Sequence, residues 1–101
     1  GGLSDAFRVK LNKAFNVIQG KIKEFLENAV LNNELPETMD VDETAGFILS
    51  GLAGAILQMQ VAKTTVPFRV FNHFIFDKVL KSIKKSDSLP LVGIFLFKIS
   101  R

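Results

Sequence analysis

Side chains that could carry out catalysis are few in this sequence, and their spacing forms no recognisable set. The chain has no cysteine and a single histidine, His73, which excludes disulfides, thiolate chemistry and any multi-histidine metal site. Ser50 and Ser82 would need a histidine and a carboxylate beside them to act as nucleophiles. His73 falls on the polar side of its predicted helix instead. We therefore expect no enzymatic activity, no cofactor and no metal.

Three acidic residues, Asp40, Asp42 and Glu43, lie close enough in sequence to suggest a cation site. They also form the Asp-x-x-Glu pattern of a helix capping box, in which the first residue accepts hydrogen bonds from free backbone amides. A helix N-terminus carries partial positive charge and disfavours a bound cation. We therefore interpret the three residues as the cap of a helix.

The composition indicates one small domain with more apolar residues than its own core can use. Apolar residues make up 48% of the 101 residues. A domain of this length still exposes roughly a third of the surface of its unfolded chain, so a surplus of apolar side chains predicts a partner surface. The formal net charge of +3 is small and dispersed, which favours a role in solubility over nucleic-acid binding.

The first element predicted is a long amphipathic helix from about Ser4 to Leu31. Ser4 is a natural N-cap, and Asn33 and Pro36 favour an end to the helix soon after Leu31. Apolar residues recur along this segment at three- and four-residue steps, as one face of a helix requires; they are Leu3, Phe7, Leu11, Phe15, Ile18, Ile22, Phe25, Leu26 and Ala29.

The segment from Ala45 to Ala62 is an uncharged run of eighteen residues, and we predict that it forms a second helix ending near Lys63. A helix that is apolar on nearly every side must be buried on nearly every side. The small residues Gly46, Ser50 and Gly54 would allow another backbone to approach closely. This helix therefore needs a second copy of the chain or a lipid bilayer to cover it.

A third helix is predicted from about Val66 to Lys85, with a broad apolar stripe and a proline in its first turn. The residues from 89 to 101 follow as an apolar tail. Pro90 and Gly93 disfavour a helix there, and the β-branched and aromatic residues favour extended structure lying on a helical surface or on a neighbouring molecule.

An ordered series of short motifs resembles a known family. The series is Phe25-Leu26-Glu27-Asn28-Ala29, Asn33-Glu34-Leu35-Pro36, Asp40-Val41-Asp42, Phe47-Ile48-Leu49, Gly51-Leu52-Ala53-Gly54-Ala55 and Lys63-Thr64-Thr65-Val66-Pro67-Phe68. It resembles the C-terminal domain of TetR-family transcriptional regulators. The likeness extends from about residue 3 to residue 85.

The resemblance implies an all-α fold: a long amphipathic helix plus an antiparallel hairpin of two apolar helices. In the family, the last two helices of each subunit form a four-helix dimer interface, and a small molecule binds in the body of the domain. The implied protein is a cytoplasmic homodimer. The residues expected at its interface are Phe47, Ser50, Gly51, Gly54, Leu57, Phe68, Phe71, Ile75 and Val79. A pocket for an apolar effector would be lined by Phe15, Ile18, Gln19, Ile22 and Gln58.

The likeness is incomplete, which limits the expected function. The family's N-terminal helix-turn-helix has no counterpart in this sequence, so we expect DNA contact only through a segment outside it. We expect residues 1–88 to form a partial regulatory and dimerisation domain of a repressor and residues 89–101 to form a tail of unassigned role.

Two alternatives stay open. The chain could be a small membrane-associated protein with residues 45–62 as the span, although eighteen residues is near the lower limit for a core of about 30 Å. Two glutamines, three glycines and the acidic cap disfavour that reading. The chain could also be a stand-alone helical interaction module with the same fold. Detergent-free solubility separates the first alternative from the regulator.

Overall fold

The first helix, α1, runs Asp5–Leu31 in the computed structural model, which describes residues 4–81. Ser4 caps it as predicted, with its hydroxyl accepting a hydrogen bond from Phe7 N at 3.2 Å. At the other end, Asn33 takes the left-handed conformation with φ 61°. Glu34 N then donates to Ala29 O at 2.8 Å, which closes the helix and turns the chain.

The second helix, α2, runs Val41–Ala62 and has the predicted cap. Asp40 Oδ1 accepts from Glu43 N at 3.0 Å, so this carboxylate is engaged at the helix start. The helix ends at Lys63, whose backbone is left-handed with φ 57° and ψ 40°. A left-handed residue reverses the chain direction and sends the following segment back along α2.

The third helix begins where predicted but keeps α-helical geometry for a shorter distance. Helix α3 runs Val66–Phe74, and a π-helical turn follows over Ile75–Val79. Leu80 N donates to Ile75 O at 2.6 Å, one residue farther than in an α-helix. The expected continuous α-helix is therefore wrong over residues 75–81, and its predicted last residues, 82–85, lie outside the described residues. The π turn places Leu80 in the core while Val79 stays 43% exposed.

The core lies where the three segments meet. Contacts of Lys23 with Asp42 and of Gln19 with Gly46 show that α1 and α2 run antiparallel. The π turn and the residue after it close the core from the α3 side. The buried apolar residues are Ile22, Leu26, Ala29, Leu35, Ala45, Ile48, Leu52, Ala55, Ile75, Phe76 and Leu80.

The described part of the chain is thus helical, as the sequence predicts, with α3 folded back along α2. The predicted domain boundary at residue 88 and the tail at residues 89–101 lie outside the described residues.

Candidate dimerisation face and ligand groove

One side of α2 packs on the core, and the side facing away from it remains open. Only 22% of the most apolar part of this helix is buried within the chain. The open side carries Phe47 and Leu57, each 61% exposed, and Val61, 77% exposed. Ser50 and Gly54 are exposed between them. The steps are three, four, three and four residues, so these five residues form a straight stripe, which we call the α2 stripe.

Helix α3 adds a second exposed apolar row. Val66, Val70 and Phe74 recur every four residues and are 47%, 57% and 58% exposed. Both α2 and α3 therefore have unpaired apolar surface. An apolar surface that extends over two adjacent helices is typical of a protein interaction site.

The residues predicted for the dimer interface divide into two groups. Phe47, Ser50, Gly54, Leu57 and Val79 are exposed. The other four are engaged in packing within the chain; they are Gly51, Phe68, Phe71 and Ile75.

Gly51 illustrates this second group. A Cβ atom added there would lie 2.5 Å from Phe71 Cε1, so the Phe71 ring covers Gly51 directly. Ile75 is only 3% exposed and belongs to the core. The small size of Gly51 therefore serves the contact between α2 and α3 of the same chain.

The sequence interpretation omitted Val61, Val66, Val70 and Phe74 from the open face. The sequence could have placed Val61 on the open face, because Val61 continues the seven-residue repeat from Phe47 through Gly54. The α3 row could also have been recognised from its four-residue spacing. What the sequence could not show was which of two apolar sides of α3 faces the core.

The structure distributes the five predicted pocket residues over different environments. Ile22 is fully buried and fills the core, whereas Phe15, Ile18 and Gln19 are half-buried along α1. Gln58 is exposed on α2. Gln19 Nε2 lies 3.4 Å from the position that a Cβ of Gly46 would occupy, so this amide packs on the glycine.

An open groove lies at the joint between α2 and α3, and it involves none of the predicted pocket residues. Its volume is about 310 Å³, and its lining is mostly apolar. The residues around it are Ile56, Met59, Gln60, Lys63, Thr64 and Thr65.

An ion pair fixes the start of α2 against α1. Lys23 Nζ lies 2.9 Å from Asp42 Oδ1. The hydrogen bond and the charge of Asp42 raise the pKa of Lys23 above its ordinary value of 10.5, partly opposed by desolvation, and Glu27 adds a smaller increase. Asp42 is thus committed to an interhelical contact. Among the described residues, no cluster of three or more potential ligand side chains could hold a metal ion.

A family comparison decides the classification. A family model described as the tetracyclin repressor-like C-terminal domain matches residues 1–75. The chain belongs to this family. The comparison with curated proteins and the comparison with solved structures each give no match. The resemblance found in the sequence motifs is confirmed. The chain is therefore of a domain type that serves as the ligand-binding domain of transcription regulators.

The most apolar helix of this TetR-like domain also satisfies a simple membrane criterion. Within residues 4–81, α2 is long and apolar enough to cross a bilayer, with a mean hydropathy of 1.5. A single such helix is weak support for a membrane span, because core helices of soluble proteins have the same properties.

The lone histidine of the TetR-like domain lies on its surface, as predicted. His73 Nδ1 is 2.6 Å from Asp77 Oδ2, and the two side chains are 63% and 41% exposed. The pair links α3 to the π turn, one helical turn apart. Within residues 4–81 the pair contacts no serine hydroxyl, and we assign it a local structural role.

Proposed function

We propose that this chain is the dimerisation and effector segment of a TetR-like transcriptional repressor, with the α2 stripe at the centre of a homodimer interface. The observation that carries the proposal is the stripe itself: bulky apolar residues at both ends and small residues between them, all exposed. The family supports it, since TetR-like C-terminal domains generally dimerise and bind small-molecule effectors.

The shape of the stripe suits contact with its own copy. In a twofold dimer the same patch faces itself, so the residue nearest the axis meets its counterpart. Ser50 and Gly54 form a shallow notch where two α2 backbones can approach closely. Phe47 and Leu57 would flank the crossing point in both copies. The stripe from Phe47 to Val61 spans about 21 Å of helix, enough for an extended contact.

The energetics indicate that α3 must contribute to the dimer. Burying the exposed parts of Phe47, Leu57 and Val61 from both copies contributes on the order of 5–10 kcal/mol. Association itself costs about 4–15 kcal/mol in lost freedom. The α2 stripe alone therefore only about balances that cost. Burying the exposed parts of Val70 and Phe74 from each copy adds on the order of 3–7 kcal/mol and shifts the balance towards a four-helix interface.

The regulatory part of the proposal concerns an apolar effector. Phe15, Ile18 and Gln19 lie half-buried along α1 and would border such a molecule in the complete regulator. Ile22 is fully buried in the core, and Gln58 is exposed on α2, twelve residues along the helix from the glycine that Gln19 contacts, so neither borders this row directly. Binding of the effector there would alter how α1 packs on α2, and this would change the geometry of the dimer. A repressor needs such coupling between effector binding and dimer geometry. DNA contact is assigned to a segment outside residues 4–81, and the whole regulator to the cytoplasm.

Replacing Gly54 by leucine tests the interface. A Cβ at Gly54 meets no atom within 4 Å in the single chain, so the monomer should tolerate Gly54→Leu. In the dimer, leucine would fill the notch and separate the two helices. We expect sedimentation equilibrium to show a dimer for the native chain and a monomer for the variant.

The matched control is Gly20→Leu on α1. Gly20 is also helical and exposed, and a Cβ there also meets no atom within 4 Å. This variant should stay dimeric. A dimer that survives Gly54→Leu, or that is lost equally in Gly20→Leu, would remove the α2 stripe from the interface.

A membrane-associated role is the second candidate, favoured by the length and hydropathy of α2. The packing of α1 along α2 disfavours it. Lys23 pairs with Asp42, and Lys21, Glu24 and Glu27 lie on the same part of α1. A span formed by α2 would draw these charges towards the bilayer, where each is expensive. A chain that requires detergent to stay in solution would favour this candidate over the regulator.

A further inference from the structure

The groove at the joint between α2 and α3 has a floor and a rim of different chemistry. Ile56 and Met59 supply apolar surface from the last two turns of α2. Gln60, Lys63, Thr64 and Thr65 surround it with an amide, an ammonium group and two hydroxyls. Its volume of about 310 Å³ falls at the lower end of the range for small-molecule sites.

Lys63 occupies an unusual backbone conformation for its residue type. Its φ of 57° and ψ of 40° are left-handed, where a glycine has no steric penalty and an ordinary L-residue is disfavoured by roughly 1–2 kcal/mol. The other left-handed residue in the described chain is Asn33, a type that tolerates this conformation. Strained positions occur preferentially where a side chain has a functional task.

The ammonium group of Lys63 has no carboxylate partner among residues 4–81. Its position after the last turn of α2 is favourable for a cation, because helix C-termini carry partial negative charge. The left-handed backbone of Lys63 is required by the chain reversal at the end of α2. Glycine would meet that requirement without a steric penalty, so the presence of lysine places a cationic side chain at the groove at some cost in stability.

The hydroxyls next to Lys63 leave donors available. Thr64 Oγ1 accepts a hydrogen bond from Val66 N at 3.3 Å, so its own proton remains free to donate. Lys63 and Thr64 together thus offer positive charge and a hydroxyl donor at one side of an apolar floor. An anionic head with an apolar body is complementary to this arrangement.

We propose that this groove binds a small apolar monocarboxylate, with its tail on Ile56 and Met59 and its carboxylate paired with Lys63 and Thr64. The groove lies on a different side of α2 from the α2 stripe, so the inference does not depend on the proposed dimer. It also differs from the effector pocket proposed along α1, because none of that pocket's residues line the groove.

Titration of the full chain with octanoate tests this site, with octanol as the uncharged probe of equal chain length. Methyl NMR signals of the groove should shift saturably as octanoate is added; they belong to Ile56, Met59, Thr64 and Thr65. The same shifts should require a higher concentration of octanol, because the chain should bind octanol more weakly. Sedimentation in the same samples reports the oligomeric state, so loss of the dimer and loss of the site are distinguishable.

Variants at Lys63 separate charge from backbone effects. Lys63→Asn removes the charge but tolerates the left-handed conformation, so the fold should persist while octanoate affinity falls up to about fivefold, the effect of losing one exposed ion pair. Lys63→Arg keeps the charge and should retain binding. Lys13→Gln removes an exposed charge on α1 and should leave the affinity unchanged.

Several results would overturn the proposal. These are the absence of saturable shifts, equal affinity for octanol, unchanged affinity in Lys63→Asn, or shifts centred on Phe47 and Leu57 of the α2 stripe.

Discussion

The contact between Gly51 and Phe71 provides a sharp test of how α3 packs on α2. In Gly51→Ala the new methyl group would lie 2.5 Å from Phe71 Cε1 and 3.1 Å from Cδ1. Carbon atoms in ordinary contact are about 3.5–4.0 Å apart, so the ring would have to withdraw by about 1 Å. Phe71 is half-buried and packs against the core, so withdrawing the ring would loosen part of that packing.

Two opposing effects set the magnitude. Forcing extra volume into a packed contact costs about 1–3 kcal/mol. Replacing glycine by alanine inside a helix stabilises it by about 1 kcal/mol. Gly51→Ala should therefore lower the free energy of unfolding by about 0–2 kcal/mol, measured by urea denaturation followed by circular dichroism.

Gly20→Ala is the matched control, because a Cβ at Gly20 meets no atom within 4 Å and Gly20 is also inside a helix. It should raise the free energy of unfolding by about 1 kcal/mol. The two variants should thus differ by about 1–3 kcal/mol. If Gly51→Ala were as stabilising as Gly20→Ala, α3 would not lie against α2 at this point, and the described core would be wrong.

Two further predictions concern single residues. Asp42→Asn should bring the pKa of Lys23 down towards 10.5, seen by NMR titration of the Lys23 side chain, because Asp42 supplies the main causes of its rise. Since the pKa of Lys23 is raised in the folded state, the stabilisation from the native ion pair should be complete below about pH 10.5 and fade as the pH rises above it. An unchanged pKa of Lys23 in Asp42→Asn would contradict the ion pair. Lys63→Gly should raise the free energy of unfolding by about 0.5–1 kcal/mol, because glycine relieves the left-handed backbone; a destabilised variant in urea denaturation would show that the lysine side chain stabilises the joint.

The helices could be predicted from the sequence because their ends carry strong local signals. Ser4 and Asp40 cap their helices through their own side chains, and Asn33 adopts the left-handed turn that its side chain tolerates. These signals act within a few residues and need no knowledge of the fold. The apolar periodicity of α1 also placed Ile22 correctly on the side that packs.

The π turn could not be predicted, because it results from packing between distant segments. Residues 75–79 have no special helix-breaking residue, and a continuous α-helix was the natural expectation. The π turn aligns Ile75 with Leu80, five residues apart, so that both are buried against α1 and α2.

The open face of α2 could be predicted from the sequence, but the contacts that α2 makes with α3 could not. Periodicity identified α2 as a helix with too much apolar surface, and Phe47, Gly54 and Leu57 lie on its open side. Gly51 directly follows Ser50 but faces α3, because consecutive residues point about 100° apart around a helix. Which of the two faces α3 depends on where α3 packs, and the sequence does not show this. The groove at Lys63 depends on the backbone conformation of the joint and had no signal in the sequence.

The mass of the chain in water without detergent shows whether a second copy covers the apolar face of α2 and α3. Sedimentation equilibrium over a range of micromolar concentrations should give a species of twice the 11.2 kDa chain mass, with circular dichroism showing folded helices. A well-folded monomer across that range would contradict the account, because its exposed α2 stripe would then be stable in water without a partner.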